Sequence, residues 1–226
     1  MKSPVYDPDC TLCPRLAAFL DDGKRRHPDY FCRPVPPFGD AAARLLLVGL
    51  APGFHGANAT GRPFTGDYAG ILLYQTLYEF GLSTGPVSVA ADDGLQLIGC
   101  RISNSVKCVP PANKPLPTEV ANCNRYLAAE LAGLADGTVL LALGAIAHGA
   151  AVRALALRQA AFPFAHGAEH VLTPGLRMVD SYHCSRYNTN TRRLTVAMFR
   201  EVVGRAAALA GLGPRAEASM ERGDGA

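Results

Sequence analysis

The sequence predicts an α/β fold, a parallel sheet with helices on both faces, and two observations carry that reading. Short apolar runs alternate along the chain with stretches of helical periodicity. The residues with unusual chemistry sit in three segments, 51–67, 104–117 and 183–191, each following one of those apolar runs. In a parallel sheet the carboxyl ends of the strands share one edge, where open α/β sheets place their ligands.

Taken in order, CTLCPRLAAFLDDGKRR reads as a short helix with Pro14 in its first turn and Gly23 as its end. Pro34, Pro36 and Pro37 make an extended connector. Arg44–Val48 reads as a buried strand and residues 68–80 as a helix stopped by Gly81. Between them lies GLAPGFHGANATGRPFTGD, Gly49 to Asp67, whose glycines let backbone approach a ligand closely. Residues 83–94 read as a surface loop and Leu97–Ser103 as a second strand ending in Asn104. The prolines of VKCVPPANKPLP forbid helix or central strand, which leaves an ordered irregular loop. Helical spacing returns over Thr118–Leu134, strand character over Thr138–Leu143 and a helix over Ala145–Leu157. His170–Leu172 and Arg177–Ser181 read as a strand pair or one interrupted strand, HCSRYNTNT as a polar loop, and Arg192–Leu209 as the final helix. Residues 1–212 are expected to form a single domain and 213–226 a frayed tail.

Composition narrows the function classes. At 226 residues and 49% hydrophobic, the chain can build one sizeable core. It has no apolar run of membrane-spanning length, and MKSPVYDPDC lacks the hydrophobic core of a signal peptide, so a cytoplasmic protein without a membrane partner is expected. A net charge of +3 does not by itself argue for nucleic acid, but basic residues cluster at 24–26 and at Arg186, Arg192 and Arg193. Among seven cysteines, Cys10 and Cys13 form C-x-x-C and Cys108 and Cys123 a wider pair. Four thiolates suit either an iron–sulfur cluster or tetrahedral zinc.

With these residues in hand, the chain resembles the iron–sulfur branch of the uracil-DNA glycosylase superfamily. GLAPGFHGANATGRPFTGD is similar to the first signature loop of family 5 (type B), and its GRPFTG core also to that of family 4. NSVKCVPPANKPLPTEVANC resembles the cluster-binding segment of both, and YHCSRYNTNTRRLT the second signature loop of family 5. Two departures stand out: Cys184 follows His183 where family 5 commonly has proline, and Arg192 replaces an expected glycine. Phe54 and His55 occupy the place of the family 4 acidic residue, which favours family 5.

The resemblance implies a three-layer α/β/α sandwich around a central, mainly parallel four-stranded sheet. It also implies a monofunctional glycosylase that flips uracil, and other deaminated or modified bases, out of DNA and leaves an abasic site. Phe64 would stack on the base, and Asn104 would read uracil by donating to a carbonyl and accepting from the ring N–H. His183 would stabilise the departing base, and a neutral imidazole suffices for that. Asp67 would act on the sugar and the attacking water, although it also sits where it would cap helix 68–80. Gly49, Ala51, His55 and Asn58 would line or brace the pocket, Arg186 and Tyr187 would press on the duplex, and Ser185, Arg192 and Arg193 would meet phosphates. Cys10, Cys13, Cys108 and Cys123 would hold a structural [4Fe–4S] cluster, with no catalytic metal; Cys184 is expected at the pocket edge. A monomer working at the nucleoid is the expected state. Two other readings remain at this level: a damage-binding protein that traps the base or abasic site without turnover, and a phosphate-binding hydrolase that lacks a Walker lysine.

Overall fold

In a computed structural model, residues 5–213 are described; all but the first residue of the expected 213–226 tail lies outside them. The strands are β1 Phe38–Gly39, β2 Leu45–Gly49, β3 Cys100–Asn104, β4 Thr138–Leu143, β5 Glu169–Thr173 and β6 Leu176–Ser181. They form one sheet in the order β1-β3-β2-β4-β6-β5. The four inner strands are parallel, and β1 and β5 add short antiparallel edges. The expected four-stranded parallel centre is therefore present, extended on both sides. Only two residues of β1 pair, too few for a periodic signal in the sequence.

The helices are α1 Pro14–Arg26, α2 Ala57–Thr60, α3 Tyr68–Glu79, α4 Pro117–Leu131, α5 Ala145–Ala154, α6 Arg186–Asn190 and α7 Val196–Leu209. Successive strand residues point to opposite faces. Leu45 and Leu47 face α3 and α7 through Leu73, Leu77, Phe199 and Val203, while Leu46 and Val48 face α4 and α5 through Leu127, Ala147 and Ala151. Both faces of β2 and β4 are buried, which is why they read as continuous apolar runs. A third cluster joins Leu16 and Leu20 of α1 to Val106, Val109 and Tyr126.

Several boundaries differ from the sequence expectation. Gly23 does not end α1; it lies buried inside the helix, where a Cβ would come within 3.2 Å of Phe54 and 3.3 Å of Cys32, so its role is close packing. The last helix begins at Val196, with the Thr195 hydroxyl accepting from the Met198 N–H at 3.2 Å, because Arg192 takes a left-handed conformation (φ 55°) that breaks any earlier start. The polar loop after His183 contains α6, capped by Ser185, whose hydroxyl accepts from the Asn188 N–H.

Segment 83–94 is a surface loop, as expected, and one buried residue ties it down. Buried Arg62 donates to Asp93 at 2.6 Å, Ser88 at 2.9 Å and the Ala91 carbonyl at 2.7 Å, and it stacks over Phe38. Burial alone would raise the Asp93 pKa, but N–H donors from Leu95 and Val89 together with Arg62 hold it well below the usual carboxylate range.

Gly70 is the tightest point of α3, since a Cβ there would overlap the carbonyl oxygen of Phe64. In an ordinary helix Gly→Ala stabilises by roughly 0.5–1 kcal/mol. Here the sign reverses: Gly70→Ala is expected to cost about 2 kcal/mol or more by overpacking, measured by urea denaturation. A gain in stability would show that the Phe64 turn is not held against α3.

Candidate active site

Parallel pairing brings the carboxyl ends of β2, β3, β4 and β6 to one edge, and the chemistry-bearing residues follow those ends. Gly49 and Asn104 are ladder neighbours at the ends of β2 and β3. A Cβ on Gly49 would come within 2.5 Å of the Asn104 Oδ1 and 2.8 Å of the Phe64 ring, so only glycine lets these three meet. Phe64 reaches this position through a left-handed backbone, φ 54°, a strained conformation for a non-glycine residue. The Phe64 carbonyl against Gly70 and the Tyr74 hydroxyl donating to the Pro63 carbonyl at 2.8 Å hold that turn.

Asn104 is buried, and among the described residues its Oδ1 has no hydrogen-bond partner. A buried orphan acceptor costs free energy unless something donates to it. His183, just past β6, stacks on Phe64 with ring centroids 5.9 Å apart and planes 26° from parallel. Burial pushes its pKa down to about 4, which leaves the imidazole neutral at physiological pH.

Asp67 uses one oxygen as a cap: Oδ1 accepts from the Gly70 N–H at 2.9 Å. Oδ2 faces Gly53 and Gly56, and a Cβ on Gly56 would come within 2.8 Å of it. Burial raises the Asp67 pKa, against the lowering effect of the Gly70 and Ala69 N–H groups. Two open grooves flank the site. One of about 500 Å³ is lined by Asp67, Tyr68, Ile71, Val87 and Arg186, and one of about 250 Å³ by His183, Gly144, Ile146 and Tyr182.

The other sequence candidates are placed less uniformly. Ala51 is half-buried towards the α1 cluster. His55 is exposed and turned away, its Nδ1 2.9 Å from the Tyr30 hydroxyl. Asn58 is buried as a brace, its Nδ2 donating to the Phe54 carbonyl at 3.3 Å. Arg186 lies over the Tyr68 ring, and Tyr187 is 73% exposed. Cys184, expected at the pocket edge, is fully buried in the core cluster that also holds Phe64, Leu194 and Phe199, and burial and then the Asp67 charge push its thiol up.

Cys10, Cys13, Cys108 and Cys123 line one small cavity together with Leu16 and Tyr126. The Lys107 N–H donates to the Cys123 sulfur at 3.3 Å and Asn122 to the Cys13 sulfur at 3.6 Å. Burial and then mutual repulsion of the sulfurs push the Cys108 thiol up, and burial does the same at Cys13 and Cys123. The donor set fits a thiolate-ligated cluster. Sequence reasoning missed the network beside it, in which the Glu130 carboxylate accepts from Arg101 at 2.7 Å and Ser103 at 2.6 Å with buried Lys107 next to them. Glu130 lies 27 and 29 positions from Ser103 and Arg101, and the group carries no motif.

An α/β sheet whose carboxyl edge gathers an aromatic face, an unpaired amide, a neutral imidazole and a carboxylate defines a ligand-binding edge of the doubly wound kind. The chain belongs to the uracil-DNA glycosylase superfamily, whose family model, "Uracil DNA glycosylase superfamily", matches residues 36–207. It is 50% identical to the type-5 uracil-DNA glycosylase of Thermus thermophilus, over 90% of this chain and 94% of that protein. It is 45% identical to the type-5 uracil-DNA glycosylase of Pyrobaculum aerophilum, over 90% of each. The type-4 uracil-DNA glycosylase of Thermotoga maritima is 36% identical over 48% of this chain and 49% of that protein. Family 5 is thus the nearer branch, as the first signature loop implies.

The low pKa of His183 has a direct test. Keeping the ring uncharged helps folding fully above the ordinary value near 6.5, and the benefit is lost as pH falls towards 4. Ring-proton NMR should show His183 titrating near 4 in the folded protein; a midpoint near 6.5 would contradict a desolvated ring.

Proposed function

We propose that this protein is a monofunctional DNA-repair glycosylase that flips uracil out of DNA and hydrolyses its N-glycosidic bond, leaving an abasic site. The observation that carries this reading is the convergence of Phe64, Asn104, His183 and Asp67 at one sheet edge. The names of the relatives support turnover and do not favour the trapping alternative.

The free Oδ1 of Asn104 accepts the uracil ring N–H and the amide Nδ2 donates to the adjacent carbonyl, a pattern cytosine cannot match. The base stacks on Phe64. A ring between Phe64 and His183 needs about 7 Å, two van der Waals layers, against the 5.9 Å present. His183 therefore turns aside as the base enters and presents an N–H to its O2. As the C1′–N bond breaks, its electron pair leaves with the base and the neutral imidazole stabilises the resulting anion without surrendering a proton. Oδ2 of Asp67, which lies against Gly53 and Gly56, is left to orient the water that adds to C1′ and to take its proton, while Oδ1 keeps its cap on α3. Cap and catalyst are two oxygens of one carboxylate. Arg186 and Tyr187 stand exposed where the duplex would be pressed open.

Cys10, Cys13, Cys108 and Cys123 hold a structural [4Fe–4S] cluster in this reading. The four thiols line one cavity, and the cluster-binding segment that the chain shares with its family supports iron–sulfur. When bound, the cluster supplies cross-linking between α1, the 105–117 loop and α4, remote from the bond being broken. A base range wider than uracil follows from the first loop. Phe54 packs on Phe19 and His55 on Tyr30, so neither adds a polar group to the base edge.

Base release from duplexes holding uracil, hypoxanthine or xanthine tests the proposal. Wild type should act on more than uracil, and Asp67→Asn and His183→Ala should each slow release by about 100-fold or more with the fold retained. Full activity of Asp67→Asn would reduce Asp67 to a cap. Chelating the iron, checked by metal content, should lower Tm by about 10 °C, the scale of several kcal/mol in a chain of this size; an unchanged Tm would remove the structural role.

A further inference from the structure

His148, His170 and Asp180 come from α5, β5 and β6 and meet in the interior near the β6-β5 edge of the sheet. We propose that they form a binding site for one divalent cation of the zinc type. His148 Nδ1 lies 2.8 Å from Asp180 Oδ1, and His170 Nε2 lies 3.1 Å from Asp180 Oδ2. One ligand atom from each residue falls within a 4.8 Å group. Two imidazole nitrogens and a carboxylate oxygen are donors that suit zinc, and ligands about 2.0–2.1 Å from a tetrahedral ion stand about 3.3 Å apart. The two histidine–carboxylate spacings need to open by only a few tenths of an ångström, and the two imidazole ligand atoms already lie within 4.8 Å of each other.

The surroundings favour an ion over a plain hydrogen-bond network. The second nitrogen of His148, Nε2, lies 2.8 Å from the Phe162 carbonyl oxygen, which can only accept. That is the outer contact metal-bound histidines characteristically make, and it fixes Nδ1 as the ligand atom. Without an ion both nitrogens of His148 face acceptors, so the ring satisfies them only as a buried cation. Asp180 is fully buried and takes both histidines at once. The site therefore calls for positive charge, and a divalent ion answers it with one bond to each residue. His170, partly exposed on β5, is the side from which an ion enters.

Bound there, the ion ties the antiparallel edge hairpin and the 159–162 turn to α5, three residues upstream of His183 on the chain that leaves β6. No part of the glycosidic chemistry passes through it.

The test is zinc chloride titrated calorimetrically into the full chain with its iron content measured, beside His170→Ala and His170→Gln. Zinc taken up by cysteines is common to all three proteins, so the difference between them counts this site alone. Wild type should bind one more equivalent than either variant, and zinc should raise its Tm but not theirs. If His170→Ala fails to fold, His170→Gln carries the comparison. Equal stoichiometry in wild type and the folded variant would overturn the proposal and leave the three residues as a proton-held network. Loss of base release with zinc binding intact would bear on the glycosylase reading alone.

Discussion

The site depends on the closeness with which the Phe64 turn is pressed between β2 and α3. Gly49 on one side and Gly70 on the other carry no side chain, and a methyl group at either position would strike Phe64. The ring is thereby held beside Asn104 in a backbone conformation that an aromatic residue adopts only when its surroundings impose it. The same turn delivers Asp67 to the head of α3, so stacking face and carboxylate are set by one piece of backbone.

Buried charge holds what packing alone would leave loose. Arg62 draws segment 83–94 against the signature loop through Asp93, Ser88 and the Ala91 carbonyl. On the opposite side, Glu130 gathers Arg101 and Ser103 on β3, so the strand that carries Asn104 is fixed to α4. A buried charge stripped of its partner costs several kcal/mol, so these networks tolerate little variation although none of their members meets the base.

Much of this was readable in the sequence because the relevant signals are local. Strands β2 and β4 are buried on both faces and stand out as apolar runs, and Pro14 and Asp67 announce helix starts by local chemistry. The three loops at the strand ends follow from parallel pairing once the strands are right. What escaped was decided by contacts between distant residues. Gly23 looks like a helix end until Phe54 and Cys32 are seen against it. Arg62 and Asp93 read as loop residues 31 positions apart, and nothing local pairs them. His55 falls inside the signature loop yet turns outward, because Tyr30 and Phe54 offer it an aromatic cluster. His148, His170 and Asp180 lie too far apart in the chain to suggest a group.

The central claim is that an everted base lies on Phe64 with Asn104 and His183 at its edge. A crystal structure of the slowed Asp67→Asn protein on a uracil-containing duplex tests it most directly. The account predicts the uracil ring parallel to Phe64, its N–H directed at Asn104 Oδ1, and the His183 ring displaced from its stacked position to meet O2. A base seated elsewhere along the sheet edge, with Phe64 and His183 still stacked on each other, would contradict it.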